Sequence, residues 1–354
     1  MHPILKVVSD QGCQCYLVGC PVTHEALLVD PKVGSRQSLL ELAEHFGLRI
    51  TQVLDTHSHA DHLSDSLAWC TAGATLYMSE QTACRRPMKR LAHGAPLKVG
   101  DLQFETRSVP GHTPDSMALV GHGVAIVGDS LFIGGLARAD FRGSDPDQLF
   151  ESVLGQLMSL DDNTLVFPGH SYNDILFSTV AQERVSNTAL QHASGADFAQ
   201  QLGAVAGNGN SPDVDLTLQM NQDENPDLPD EPRNVVACCS AGASVETRRA
   251  REAWPEDLEA ERSQHTDKQA WIDVRDPHEY RASHVPGARL MPLSELGFHL
   301  PELQGIEPLV INCKAGVRSM TAARTLMHLG VVEDPVSMAG GFDRWLAEGR
   351  PTTD

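Results

Sequence analysis

Three imidazoles and a carboxylate crowd into the run Thr56-His57-Ser58-His59-Ala60-Asp61-His62, directly behind the apolar stretch Ile50 to Leu54. Such groups are costly to hold together in a cleft unless a cation organises them, and a transition metal does so. The pattern recurs at Pro110-Gly111-His112-Thr113-Pro114, at Val127-Gly128-Asp129-Ser130 and at Pro168-Gly169-His170, each time after an apolar run. One histidine in any of these places would be an ordinary surface or core residue. Taken together, the four segments point to a metal centre assembled from loops at strand ends. The glycines before His112, Asp129 and His170 fit tight turns that present a side chain into a cleft.

A second chemistry lies near the C-terminus, in Val310-Ile311-Asn312-Cys313-Lys314-Ala315-Gly316-Val317-Arg318-Ser319. Here a cysteine stands straight after a strand and just before a helix. The residues Cys313 to Arg318 are expected to curl so that backbone amides point at the sulfur, with the helix N-terminus adding to the field. That environment favours thiolate and makes Cys313 a nucleophile. The other cysteines, Cys13, Cys15, Cys20, Cys70, Cys84, Cys238 and Cys239, lack the paired spacing of a structural zinc site and read as buried small hydrophobes or idle thiols.

The elements that must position these groups follow an α/β rhythm. Short β-rich runs at Cys15 to Val18, Ala26 to Val29, Ile50 to Leu54, Thr75 to Met78, Val124 to Val127 and Leu165 to Phe167 alternate with helix-like stretches at Ser35 to Phe46, Asp147 to Leu160 and Ile175 to Gln191. The basic cluster Arg85 to Arg90 reads as a solvated helix face. Between Gly203 and Ala253 the composition turns to Gly, Asn, Asp and Pro, which reads as loop and linker. A new α/β rhythm begins at Trp254, with strands at Ala270 to Val274 and Pro308 to Asn312 and a helix at Ser319 to Leu329. A chain of 354 residues exceeds what one hydrophobic core usually spans. The expected organisation is therefore a first domain over 1–232, a linker over 233–253 and a second domain over 254–354.

The formal charge of −20 repels nucleic acid and anionic membrane surfaces alike, so neither is an expected partner. An anionic substrate then needs a locally positive pocket. No apolar stretch approaches the roughly 20 residues that cross a bilayer. The start Met-His-Pro-Ile-Leu-Lys has neither a secretory signal nor the character of a transit peptide, which makes the expected location cytoplasmic and the thiols reduced.

Over roughly residues 1 to 200, the four metal segments resemble the metallo-β-lactamase superfamily, and the resemblance implies its αββα sandwich. That superfamily holds dinuclear zinc hydrolases of the glyoxalase II kind, which use the whole His/Asp set, and persulfide dioxygenases, which bind one ferrous iron. The signature alone fits both. Three details look closer to the dioxygenases: Ala60 within the tetrad, Arg138-Ala139-Asp140-Phe141, and Pro168-Gly169-His170-Ser171-Tyr172. The dioxygenase resemblance implies one Fe(II) per chain on His57, His112 and Asp129, a two-histidine, one-carboxylate face with open positions. It also implies that His59, Asp61, His62 and His170 orient ligands and shuttle protons, and that Arg138 and Tyr172 hold a glutathione moiety. The reaction it implies is oxidation of glutathione persulfide by O2 to sulfite and glutathione.

The second domain resembles rhodaneses through Asp273-Val274-Arg275-Asp276, Glu279-Tyr280, His284-Val285-Pro286-Gly287-Ala288, Met338 to Trp345 and the Cys313 loop. That resemblance implies an α/β fold with a parallel sheet and a Cys313 persulfide that moves sulfane sulfur between thiosulfate and glutathione. Lys314 and Arg318 would neutralise the anionic donor. The expected whole is a fused persulfide dioxygenase and sulfurtransferase, with a homodimer as a possible assembly. The competing expectation is a dinuclear zinc thioester hydrolase carrying an appended rhodanese domain.

Overall fold

A computed structural model describes residues 1–192, 194–205, 212–223, 240–241, 250–264 and 270–353. By internal contacts the chain divides into two compact units, Met1–Tyr172 with Thr179–Val245, and Asn173–Ser178 with Glu246–Asp354. Most of the expected linker 233–253, together with Cys238 and Cys239, lies outside the described residues.

The first unit is built on two mixed sheets. One has six strands in the order Ile4–Asp10, Cys13–Gly19, Glu25–Val29, Arg49–Leu54, Thr75–Ser79 and Lys89–Leu91. Its first two pairings are antiparallel and the rest parallel. The other sheet runs Leu165–Pro168, Val124–Gly128, Met117–Gly121, Leu102–Ser108 and Pro96–Val99 in spatial order. Burial tracks sequence pattern closely. Leu102–Ser108 alternates, with Leu102, Phe104 and Thr106 inside and Gln103 and Glu105 outside, as a strand with one wet face does. Cys13–Gly19 and Val124–Gly128 are buried along their whole length, because both of their faces are covered.

Each sheet carries helices on one face. Leu39 and Ala43, four residues apart on the helix Arg36–His45, pack with Leu17, Leu28, Val53 and Leu76 of the first sheet. Leu149 and Phe150 of the helix Pro146–Ser152 pack with Ala118, Val127 and Val166 of the second. Asp145 caps that helix by accepting a hydrogen bond from Gln148 N at 3.0 Å. The sheets meet through Tyr16 of the first and Phe167 of the second, ring centroids 5.9 Å apart, and the Tyr16 hydroxyl donates to Pro168 O at 2.5 Å. This αββα arrangement is the fold that the sequence led us to expect.

The second unit holds a five-stranded sheet in the order Arg251–Ala253, Val336–Met338, Leu309–Asn312, Ala270–Asp273 and Arg289–Leu290, parallel throughout. Its core gathers Leu258, Trp271, Val310, Met338, Phe342 and Trp345.

Several segments differ from their expected form. Arg85 to Arg90 is not a helix face: Lys89–Leu91 is a strand, and the Arg86 side chain is buried, donating to Ser66 Oγ and to the carbonyls of Met220 and Asp223. The expected helix from Ile175 is confined to Val180–Ser186 and a short 3-10 turn, and Asn173–Ser178 groups with the second unit. A helix, Pro212–Gln222, occupies part of the stretch expected as loop, and Arg251–Ala253 is an edge strand rather than the end of a linker. Among the described residues no helix is long and apolar enough to cross a membrane.

Trp345 is 1% exposed and packs edge-on against Trp271. Trp345→Ala is expected to cost about 3–5 kcal/mol in the unfolding of the second unit, read by urea titration of the full chain. A cost under about 1 kcal/mol would contradict this packing.

Candidate metal centre and thiolate loop

The strand Arg49–Leu54 delivers the first metal segment to the end of its sheet, and Asp30, at the end of the neighbouring strand, anchors it. Asp30 sits at φ 52°, in the left-handed region, and accepts hydrogen bonds from Thr56 N at 2.7 Å and Thr56 Oγ1 at 2.8 Å. With its proton committed to Asp30, the Thr56 hydroxyl accepts from His57 Nδ1 at 3.0 Å. That fixes the tautomer and leaves His57 Nε2 with its lone pair free to ligate. His112 is set the same way, by donating from Nδ1 to the carbonyl of Arg138 at 2.9 Å.

Asp129 completes the set. Its Oδ2 stands 4.0 Å from His57 Nε2 and 3.9 Å from His112 Nε2. All three side chains are buried, and neither His57 Nε2 nor Asp129 Oδ2 has a hydrogen-bond partner. Desolvated polar atoms without partners are unfavourable, and a shared cation supplies what is missing. The donors His57, His112 and Asp129 lie within 4.8 Å of one another and therefore fit a metal ion. Burial, with the neighbouring His59 adding to it, lowers His57 to about 3, so it stays neutral and able to ligate at ordinary pH. Burial alone would raise the Asp129 carboxyl, but His170, His57 and His112 outweigh it and hold it well below the carboxylate range.

The remaining metal-segment residues surround this triad. His170 donates from Nδ1 to Asp129 Oδ1 at 2.8 Å, and its Nε2 lies 3.0 Å from Asp61 Oδ2. Asp61 also pairs with His62 Nδ1 at 3.0 Å. His59 Nε2 lies 3.2 Å from Asp30 Oδ1, which leaves its Nδ1 buried and without a hydrogen-bond partner, and its ring packs against that of His57 with centroids 4.2 Å apart. The glycines act by two different means. Gly111 adopts φ +135°, and a Cβ there would meet the Leu149 backbone at 2.2 Å. Gly169 allows close approach instead, since a Cβ would fall 2.2 Å from Asp129 Oδ1.

Arg138 and Tyr172 are both near the triad. The Arg138 guanidinium is held by Asp140 through two hydrogen bonds, of 2.6 and 2.9 Å, while its carbonyl orients His112. Tyr172 is 41% exposed, and its ring lies parallel to that of His170 with centroids 5.6 Å apart.

Three positioning residues escaped the sequence reading. Asn221, on the helix Pro212–Gln222, donates to His59 O and His62 O at 2.8 Å each and accepts from Ser64 N at 3.0 Å. Asp115 accepts from Ser58 Oγ at 2.6 Å and from Thr113 Oγ1 at 2.7 Å, tying two metal segments together. Asp30 is the third. Cys13, expected to be idle, has its Sγ 3.4 Å from His170 Nε2.

In the second unit, Cys313 follows the strand Leu309–Asn312 and precedes the helix Val317–His328. Gly316, at φ +98°, turns its N–H onto the Cys313 sulfur at 3.1 Å. Phe342 N and Asp343 N hold the loop from outside by donating to the carbonyls of Cys313 and Lys314, at 2.7 and 2.9 Å. Lys314 is exposed at the rim. Arg318 is gripped end-on by Glu279, at 2.7 and 2.8 Å. Burial opposes ionisation of Glu279, but its hydrogen bonds to Arg318 prevail and bring it down to about 2.

Residues 255–348 match the Rhodanese-like domain family. The mitochondrial persulfide dioxygenase ETHE1 of Bos taurus is 33% identical over 186 residues, covering 49% of this chain and 70% of that protein. A hydroxyacylglutathione hydrolase of Anaeromyxobacter dehalogenans is 36% identical over 186 residues, covering 49% of this chain and 72% of that protein. Among solved structures, that of ETHE1 from Myxococcus xanthus superposes with a TM-score of 0.59 at 30% identity, covering 62% of this chain and 98% of that one.

Gly111→Ala should lower bound metal severalfold in metal analysis of the purified protein, by displacing His112; full occupancy would remove the glycine from this account. The Glu279–Arg318 pair should make stability pH-dependent. With the folded value depressed, its contribution is complete above the ordinary 4.5 and is lost as pH falls through about 2. Acid titrations of the full chain should show that slope, and Glu279→Gln should remove it.

Proposed function

We propose a function from one premise: this chain belongs to the metallo-β-lactamase family of the ETHE1 persulfide dioxygenases and hydroxyacylglutathione hydrolases, and carries a C-terminal rhodanese-like domain. Our reading is a persulfide dioxygenase fused to a thiosulfate sulfurtransferase, working on glutathione persulfide, thiosulfate and glutathione in the cytoplasm.

The observation that carries the reading is the composition of the buried triad. The donor atoms of His57, His112 and Asp129 lie within 4.8 Å of one another, and His59 is engaged at Nε2 by Asp30. Two histidines and one carboxylate leave coordination positions for two further ligands, which suits a sulfur substrate and O2. A ferrous ion held there would supply electrons that zinc, being redox-inert, does not have. The chain's own groups do the rest. Thr56 and the Arg138 carbonyl keep both imidazoles bare at Nε2, and His170 holds Asp129 from its far oxygen. His170 and Asp61 lie one hydrogen bond apart and are placed to move a proton as water releases sulfite. Tyr172 and Arg138 are the residues we assign to the glutathione moiety. Arg138 reaches it only by sharing or leaving Asp140.

In the second unit Cys313 takes sulfane sulfur as a persulfide and passes it to a thiol, with the Gly316 amide steadying the sulfur anion. Lys314 and Arg318 balance the charge of the donor. The two activities share a sulfur species, so the product of one domain can feed the other.

The dinuclear zinc thioester hydrolase remains the second reading, favoured by the hydroxyacylglutathione hydrolase relatives and by a neighbouring donor group, Asp61, Asp129 and His170. Oxygen consumption by anaerobically iron-loaded protein, supplied with glutathione persulfide, decides between them. We expect uptake of O2 with formation of sulfite; thioester cleavage by protein holding two zinc ions, with no O2 uptake in the iron form, would overturn the reading. Cys313→Ser should abolish sulfur transfer from thiosulfate to glutathione yet keep O2 uptake. Arg138→Ala should raise KM for the persulfide by about tenfold or more, the scale of one charge-assisted hydrogen bond; unchanged kinetics would remove Arg138 from the site.

A further inference from the structure

Beside the Cys313 loop lies a pair of buried hydroxyls that the sulfur-transfer chemistry above does not use. Ser319 sits in the first turn of the helix Val317–His328, and Ser337 lies on the strand Val336–Met338, next to Leu309–Asn312 in the sheet. Both are 0% exposed. Their oxygens are 2.8 Å apart, and Ser319 Oγ stands 3.0 Å from Gly316 O and 3.5 Å from the Cys313 sulfur.

A hydroxyl has one proton and two lone pairs, so the directions of these bonds are linked. With Ser319 donating to Gly316 O, the proton between the two serines comes from Ser337. The second lone pair of Ser319 is then left for the Cys313 thiol, which donates to it. Once the thiol proton has passed to solvent, the sulfur needs a donor, and Ser319 is placed to turn its own proton from Gly316 O to the sulfur. That turn does not strand the carbonyl, because Met320 N also donates to it at 3.2 Å. Ser337 goes on donating throughout, and a hydroxyl that accepts one hydrogen bond donates the next more strongly.

We propose that Ser319 is a positioning residue for the Cys313 thiolate, its proton switching from Gly316 O to the sulfur as the thiol ionises, with Ser337 holding it from behind. The Gly316 amide, 3.1 Å from the sulfur, is the first donor and Ser319 the second. Together they favour the anion, the form that attacks a sulfur donor. The use of that anion in sulfur transfer rests on the function proposed above. The charged side chains on the elements about the loop are Lys314 and Arg318 of the loop itself, and Asp276 and Glu279, which hold Arg318. Asp273 and Arg275, paired with each other, stand at the end of the neighbouring strand, and Asp343 N donates to Lys314 O. Removing a serine hydroxyl alters none of these charges.

The test uses the full chain, alkylated briefly with iodoacetamide over a pH series, and reads the Cys313 peptide by mass spectrometry. Ser319→Ala should raise the midpoint of Cys313 alkylation by about one pH unit, a tenfold loss of thiolate below it, as expected for one hydrogen bond to a charged group. Ser337→Ala should raise it by less, and Ser319→Thr, which keeps a hydroxyl, should restore it. An unchanged midpoint in either alanine variant would overturn the inference, as would a threonine variant shifted as far as the alanine one. Urea titration checks that each variant is folded; if Ser319→Ala is not, Ser337→Ala decides by the same criterion. Alkylation needs no sulfur donor, so transfer from thiosulfate to glutathione is measured separately on the same preparations. Raised midpoints in the variants without transfer by the wild type would support this inference and overturn the sulfurtransferase reading. Transfer by the wild type with unchanged midpoints would do the reverse.

Discussion

Asp129 gives its two carboxylate oxygens to different partners, and most of the first unit is arranged around that division. Oδ1 is held by His170 at 2.8 Å, which leaves Oδ2 bare between His57 and His112. The fully buried carboxylate is kept anionic by the imidazoles around it, since burial by itself would favour the neutral form. Its close neighbours are correspondingly constrained. Residue 169 has no room for a side chain, Thr56 must present its hydroxyl as an acceptor to His57, and Asp30 must take up that hydroxyl's proton in a strained backbone conformation. A site of this kind is rigid because each ligand is fixed from behind by a hydrogen bond that the cation never touches.

The parts of this arrangement that reach the sequence as local pattern were legible there. The strands expected from apolar runs lie within a residue or two of their observed bounds, and the four metal segments and the Cys313 loop stand at strand ends as expected, but Ile4–Asp10, Leu102–Ser108 and Met117–Gly121 were not among the expected strands. What the sequence concealed is held by contacts distant along the chain. Asn221 lies 159 and 162 residues from the carbonyls it supports, in a polar stretch whose composition reads as loop. Its helix shows little amphipathic pattern, and only packing against the metal segments gives it a reason to form. Arg86 looked like a surface charge because its neighbours are basic, yet its partners are backbone carbonyls 134 and 137 residues away. Cys13 carries no motif at all. Its position against His170 comes from strand pairing with residue 170, which no local spacing encodes.

On the proposed function the two units would meet the same demand, a stabilised sulfur anion, by different means. The Cys313 loop uses a backbone amide at a helix start with a cation fixed nearby by Glu279. The metal cleft would use imidazoles and, when loaded, the charge of the ion itself. Neither approach depends on overall charge, which at −20 works against anionic substrates until they are within the local field.

X-ray absorption at the iron edge, on iron-loaded protein before and after anaerobic addition of glutathione persulfide, tests the central claim most directly. A lone iron on His57, His112 and Asp129 should show only nitrogen and oxygen neighbours at first and gain one sulfur neighbour on addition, with no heavy scatterer beyond. A metal neighbour at about 3.5–4 Å in the active protein, the spacing of two-metal hydrolytic sites, would contradict it.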